Sequence, residues 1–261
     1  MKIGQVESVW RYPVKSMAGE RLEEGFLSYA GLYGDRVYAF HNPAAGAAFP
    51  YLTARQQQPM VAYRPRFLDA EAAARPVNLA AAQKLGPGVT PLFTDAAGFA
   101  VEVTTPDGRT FAVDDPALVA DLKAGLPTDD PIAVLRSERA LTDCRPISLF
   151  SNQTVAAIAV ETGLAADGRR YRANLYADFT DGEAFAEEAL VGRRLRIGDK
   201  AEIAVLELDP RCKMITLDPD TGEAEPKIVR WLAKAHGGMA GLYCAVLVEG
   251  TVRLGDAIEA I

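Results

Sequence analysis

Histidine is nearly absent from this chain. Only His41 and His236 occur among 261 residues. That excludes a multi-histidine metal centre, and neither residue has neighbours that suggest a catalytic triad. His236 precedes Gly237-Gly238 and fits a helix C-terminus, where a cation is favoured. Cysteine is scarce too, with Cys144, Cys212 and Cys244 alone. Three thiols do not build a disulfide scaffold, and they point to a reducing compartment. No apolar run approaches the ~20 residues that cross a bilayer. The opening Met1-Lys2-Ile3-Gly4-Gln5-Val6-Glu7 lacks the apolar core of a signal peptide. The expectation is a cytoplasmic protein without membrane association. Net positive charge is missing: the formal charge is -7, which argues against a general nucleic-acid binder. There is no Gly-x-Gly-x-x-Gly and no regular alternation of strand and helix, so a doubly wound sheet is not expected.

What remains is ordinary globular material, 49% hydrophobic and 24% charged. Short strands dominate. They are expected at 3–11, 22–29, 37–40, 60–67 and near 76–79. Others are expected at 132–135, 194–197, 201–208, 242–249 and 257–261. Thr105-Pro106-Asp107-Gly108 between two apolar runs is a hairpin signal. Helices are expected from Asp114-Asp115-Pro116 to about Gly125, over 153–162, and from Glu225-Pro226 to about Ala235. Ser151 or Asn152 can cap the second, and Gly163 can end it. The pattern predicts a mainly β (α+β) fold: two β-barrel-like domains with a few peripheral helices. Leu126 to Pro131 reads as the connection, dividing residues 1–127 from 128–261.

The chemistry is expected in Asp209-Pro210-Arg211-Cys212-Lys213 and the residues after it. A thiol between Arg211 and Lys213 lies in a positive field that favours thiolate. A buried structural thiol fits the same residues, and local sequence leaves both readings open. Met214 to Leu217 reads as a short strand, and Asp218-Pro219-Asp220-Thr221-Gly222 as a tight turn. Other segments offer groups that grip anions. Lys15-Ser16, after the break at Pro13, combines an ammonium, a hydroxyl and backbone amides. Arg36 follows Gly31-Leu32-Tyr33-Gly34-Asp35 at the start of a strand, and Arg55 lies in a short polar segment. Arg172 and Asn174, two apart on a strand expected from Tyr171, share a face. Each of these alone fits plain surface structure better than an anion site.

Their order and spacing together resemble a known family. Tyr-Pro-Val-Lys-Ser-Met (12–17), Gly-Leu-Tyr-Gly-Asp-Arg (31–36) and Leu-Thr-Ala-Arg-Gln (52–56) are similar to the MOSC N-terminal β-barrel domain. Pro-Ile-Ser-Leu (146–149), Tyr-Arg-Ala-Asn (171–174), Pro-Arg-Cys (210–212), Thr-Leu-Asp-Pro-Asp-Thr-Gly (216–222) and Gly-Leu-Tyr (241–243) are similar to the MOSC domain. The architecture resembles that of the mitochondrial amidoxime-reducing component and its bacterial relatives. The resemblance implies a molybdenum cofactor (molybdopterin) in a pocket between the two domains, and reduction of small N-oxygenated substrates such as amidoximes and hydroxylamines. It implies that Cys212 is the thiolate ligand to molybdenum. Lys15, Ser16, Arg36, Arg172 and Asn174 would hold the pterin and its phosphate, with Ser148, Arg211 and Tyr243 on the same pocket. An all-cysteine iron–sulfur cluster takes about four thiolates, and this chain has three cysteines. The expected electron donor is therefore a separate flavin, haem or iron–sulfur protein. Cys144 and Cys244 are expected to be structural thiols. The competing expectation is a carrier of cofactor or sulfur without turnover.

Overall fold

Ten residues at the N-terminus, Lys2–Arg11 (β1), form a strand that packs Val6 and Val9 inward. In the computed structural model, which describes residues 1–85, 89–126 and 130–261, this strand closes a barrel built mostly from the other end of the chain. The remaining barrel strands are Ile147–Ser151 (β2), Leu175–Phe179 (β3), Arg194–Ile197 (β4), Ala201–Pro210 (β5), Met239–Val248 (β6) and Ala257–Ala260 (β7). Around the barrel the order is β1-β3-β2-β6-β5-β4-β7, returning to β1. Leu149, Leu175, Ile203, Leu242, Cys244 and Ile258 fill its interior. Burial pushes the Cys244 thiol well above its ordinary range, so this cysteine is the structural thiol expected.

All junctions but one are antiparallel. β2 and β3 run parallel, which requires a crossover. The helix Asn152–Thr162 provides it, capped by Ser151 Oγ, which accepts from Thr154 N–H at 3.3 Å. Gly163, at φ 69°, ends the helix in the left-handed region. The chain therefore contains a strand–helix–strand crossover unit that the strand-rich pattern had hidden. This helix and Lys227–Ala235 pack outside the barrel through Ile158, Ile228 and Leu232 against Phe150 and Tyr176.

The N-terminal half surrounds a second core, with Phe40, Leu52, Met60, Phe99 and Leu118 at its centre. Three short sheets enclose it, each of three strands. The hairpin forms as expected, from Val101–Thr104 and Thr110–Ala112. Asp115 caps the helix Pro116–Lys123. Other expectations fail. Residues 60–62 belong to a 3-10 turn ahead of the strand Arg64–Phe67, and Leu79–Lys84 is a helix. There Leu79 and Ala82, three apart, face the core, a helical spacing too brief to read against the flanking prolines. The expected division at 127/128 lies outside the described residues. The two halves interlock: Glu24–Ser28 pairs with Gly250–Arg253. No helix among the described residues is long and apolar enough to cross a membrane.

The expected turn after Cys212 is present. Asp218 Oδ1 accepts the N–H groups of Asp220 and Thr221 at 3.0 and 3.1 Å. Gly222 closes the turn at φ 77°, and a Cβ there would lie 2.9 Å from the Gln58 carbonyl oxygen. The Gly222→Ala protein should lose roughly 1–2 kcal/mol of stability. An unchanged denaturation midpoint would remove this seam as a constraint on the fold.

Candidate active site

The end of β5 carries the central thiol. Arg211 N–H donates to the Gly238 carbonyl at 2.8 Å, and Cys212 then precedes a 3-10 helix, Lys213–Thr216. Thus residues 214–216 are helical, not extended as their apolar run suggested. Ile215 and Thr216 are buried, Ile215 in the core that holds Phe150 and Ile228. Cys212 is half-buried. It lines a cavity with Lys15, Ser16, Arg36, Ser148, Arg172, Asn174, Arg211 and Tyr243. Every site residue expected from sequence therefore faces one space. Arg55 joins them.

Seven of the lining side chains are cationic and two are carboxylates, although the whole chain is acidic. Lys15 is 3% exposed. Its ammonium donates to the Leu141 carbonyl at 2.7 Å and to Asp143. The rings of Phe49 and Tyr51 lie 5.0 Å from it. Burial brings its pKa down to about 8, against the pull of Asp143. Burial also opposes ionisation of Asp143, yet Lys15 and Arg55 hold it below the usual carboxylate range.

Arg36 and Arg172 both stack on Tyr12, with guanidinium carbons 4.7 and 4.4 Å from the ring centre. Arg36 pairs with Asp35 and donates to the Arg172 carbonyl at 3.0 Å. Burial works against its charge, but Asp35 raises its pKa above the ordinary value. Arg172 donates to the Met17 carbonyl at 2.7 Å. Its other terminal nitrogen, Nη2, is buried without a hydrogen-bond acceptor. Burial and the Arg36 charge lower its pKa to about 10.

Arg172 and Asn174 do not share a strand face as expected. Residues 168–170 form a 3-10 turn, Arg172 is left-handed at φ 55°, and β3 starts only at Leu175. Asn174 acts as a staple. Its carbonyl oxygen accepts from Ser148 N–H at 3.2 Å, and its amide donates to the Trp10 carbonyl at 3.3 Å.

Arg211 donates to the carbonyls of Ala240 and Tyr171 at 2.7 and 2.9 Å. Its Nη2 lies 2.8 Å from Asp209 Oδ2, at an angle that makes no hydrogen bond. Asp209 is 4% exposed. Burial raises its pKa, against Arg211 and a hydrogen bond from Tyr243. Burial and Asp209 in turn raise the Tyr243 phenol.

Asp143, Arg170, Tyr171 and Asp209 also line the cavity, and sequence reasoning gave them no role. Asp209 had a readable signal, two residues from Arg211 at a strand end. Cys144 is exposed, not structural. Its Sγ lies 3.7 Å from Glu207 Oε1; burial and Glu207 raise its pKa. Among the described residues, no three or more histidine, cysteine or acidic side chains cluster as a metal site.

Two family models match the chain. That of the MOSC domain covers residues 136–259, and that of the MOSC N-terminal beta barrel domain covers residues 3–113. A search of curated proteins gave no match. Among solved structures, the YuaD protein from Bacillus subtilis is 14% identical with TM-score 0.49, over 98% of this chain and 94% of that one. YiiM from Geobacillus stearothermophilus is 17% identical with TM-score 0.35, over 45% and 54% of the two chains. YiiM from Escherichia coli is 19% identical with TM-score 0.34, over 45% and 54%.

The Lys15 geometry sets a pH dependence. Its folded pKa, about 8, lies below its ordinary 10.5, so between these values the unfolded chain binds a proton that the folded chain does not. The Lys15 contribution to stability should therefore rise with pH across this window, by about 3 kcal/mol. The Lys15→Met protein should lack the rise. Denaturation curves for both proteins that stay parallel from pH 8 to 10 would refute the assignment.

Proposed function

The chain belongs to the MOSC family, with a MOSC N-terminal beta barrel domain ahead of a MOSC domain, and from that premise we propose that its cavity holds a molybdenum cofactor used to reduce N-hydroxylated compounds. One observation carries the reading. A soft thiol shares a cavity with seven cationic side chains, and among these Arg172 and Arg211 each keep a buried N–H that makes no hydrogen bond. Buried donors of this kind are costly unless an acceptor arrives. A phosphorylated pterin supplies acceptors, and a metal bound through dithiolene sulfurs suits one more sulfur ligand.

When bound, the cofactor supplies a two-electron couple and an oxygen-accepting metal, by which an amidoxime or hydroxylamine becomes an amidine or amine plus water. Cys212 supplies the protein's thiolate ligand. Lys15, Ser16, Arg36, Arg172 and Arg211 provide positive charge and N–H donors for the phosphate and pterin. Ser148 and Asn174 lock β2 to the turn before β3 and so fix the cavity wall. Reduction of an N–O bond consumes protons. Asp209, kept above the ordinary carboxylate range by burial and bonded to Tyr243, can hold one at the wall. Electrons come from a separate flavin, haem or iron–sulfur protein. The three thiols are dispersed among the surface, the cavity and the barrel core.

Protein made in a host with the cofactor pathway should contain molybdenum and pterin. It should reduce benzamidoxime with reduced viologen as donor. The Cys212→Ala protein should lose metal affinity by at least ~10–100-fold and lose turnover. Full metal content and full turnover in that variant would sink the ligand assignment. Loaded protein that fails to turn over would remove the reductase and leave a cofactor or sulfur carrier.

A further inference from the structure

A second cavity adjoins the first. Arg170, Arg172 and Met214 line both, whereas Cys212, Lys15 and Arg211 line only the first. The second encloses about 360 Å³, within the range of small-molecule sites. Trp10, Val61, Met214, Leu217 and Pro219 give it an apolar wall. Five arginines line it, against one carboxylate, Asp220. That carboxylate is already engaged by Arg169 at 2.8 Å, and Arg21 pairs with Glu7.

Two arginines of the shared wall are incompletely satisfied. Arg170 is only 9% exposed and donates to the Thr216 carbonyl and to Asp218, yet its Nε has no acceptor. Arg172 Nη2 has none either. A buried guanidinium lacking an acceptor favours an anion. Indole and guanidinium planes favour a flat ring.

We propose that this second cavity binds a small flat organic anion, with its ring against Trp10 and the apolar wall and its acid group on Arg170. Cys212 takes no part, so the site stands whether or not the metal chemistry proposed above is correct.

The chain has two tryptophans, so a Trp231→Phe background makes Trp10 the reporter. Phenyl phosphate and benzoate should change its fluorescence saturably, with Kd below about 1 mM. Neutral benzamide should bind at least ~10-fold more weakly. Ala18→Phe, which fills the cavity, should abolish binding. Arg64→Glu alters an exposed side chain, 71% accessible, that lines this cavity alone. It should keep the fold and weaken both acids at least ~10-fold, without affecting benzamide. The absence of a saturable change with phenyl phosphate, or equal binding of benzoate and benzamide, would overturn the proposal. Binding by cofactor-free protein that vanishes on loading would assign the cavity to the cofactor and likewise overturn a separate site.

Discussion

Burying positive charge is the constraint on which the arrangement of this protein depends. An isolated buried cation costs several kcal/mol unless it is paired. Most of the cavity cations have a carboxylate close by: Lys15 has Asp143, Arg36 has Asp35, Arg211 has Asp209 and Arg170 has Asp218. Arg172 has none in ion-pair contact among the described residues; it rests on a backbone carbonyl and the Tyr12 ring. Its lowered pKa is the mark of that imbalance. The fold holds one more buried positive charge than it neutralises here, and a bound anion would relieve it.

The backbone bears a related cost. Among the described residues, four non-glycine residues have positive φ, namely Ser16, Arg36, Arg172 and Phe185. The first three line the cavity. Such conformations cost on the order of 1–3 kcal/mol each and persist only where the surroundings enforce them. Here the enforcement is visible. Arg36 N–H donates to the Tyr12 carbonyl, and Lys15 N–H to that of Tyr38 at 2.8 Å. The strain turns the segments that carry Ser16, Arg36 and Arg172 toward one space, where ordinary extended backbone would carry them past one another.

Much of this was legible in the sequence, and the failures have local causes. Motif residues identified the cavity because their types are needed wherever an anion is gripped. Gly163 and Asp115 identified helix ends because their roles are purely local. Secondary structure around the site was misread for the opposite reason. Tyr171 to Asn174 has the composition of a strand, but Tyr12, Met17 and Trp10 draw these residues into a turn through bonds spanning most of the chain. Met214 to Leu217 reads as apolar strand because its burial comes from both cores, Leu217 in one and Ile215 in the other. Neither fact has a signature shorter than the whole fold.

Those long-range bonds make the cavity a property of both halves together. Arg36 donates to the Arg172 carbonyl, Arg172 to that of Met17, Tyr12 to that of Ala173 and Lys213 to that of Arg55. Each crosses between the N-terminal segments and the barrel, and each ends on a backbone oxygen. Side-chain acceptors can rotate away at small cost, but a backbone carbonyl moves only with its element. The seam is therefore rigid where the cations converge. A ligand that binds there binds the folded chain alone, so its affinity adds directly to the stability of the joined halves. Charge that is costly to bury would thereby become the means by which a bound anion holds the two ends of the chain together.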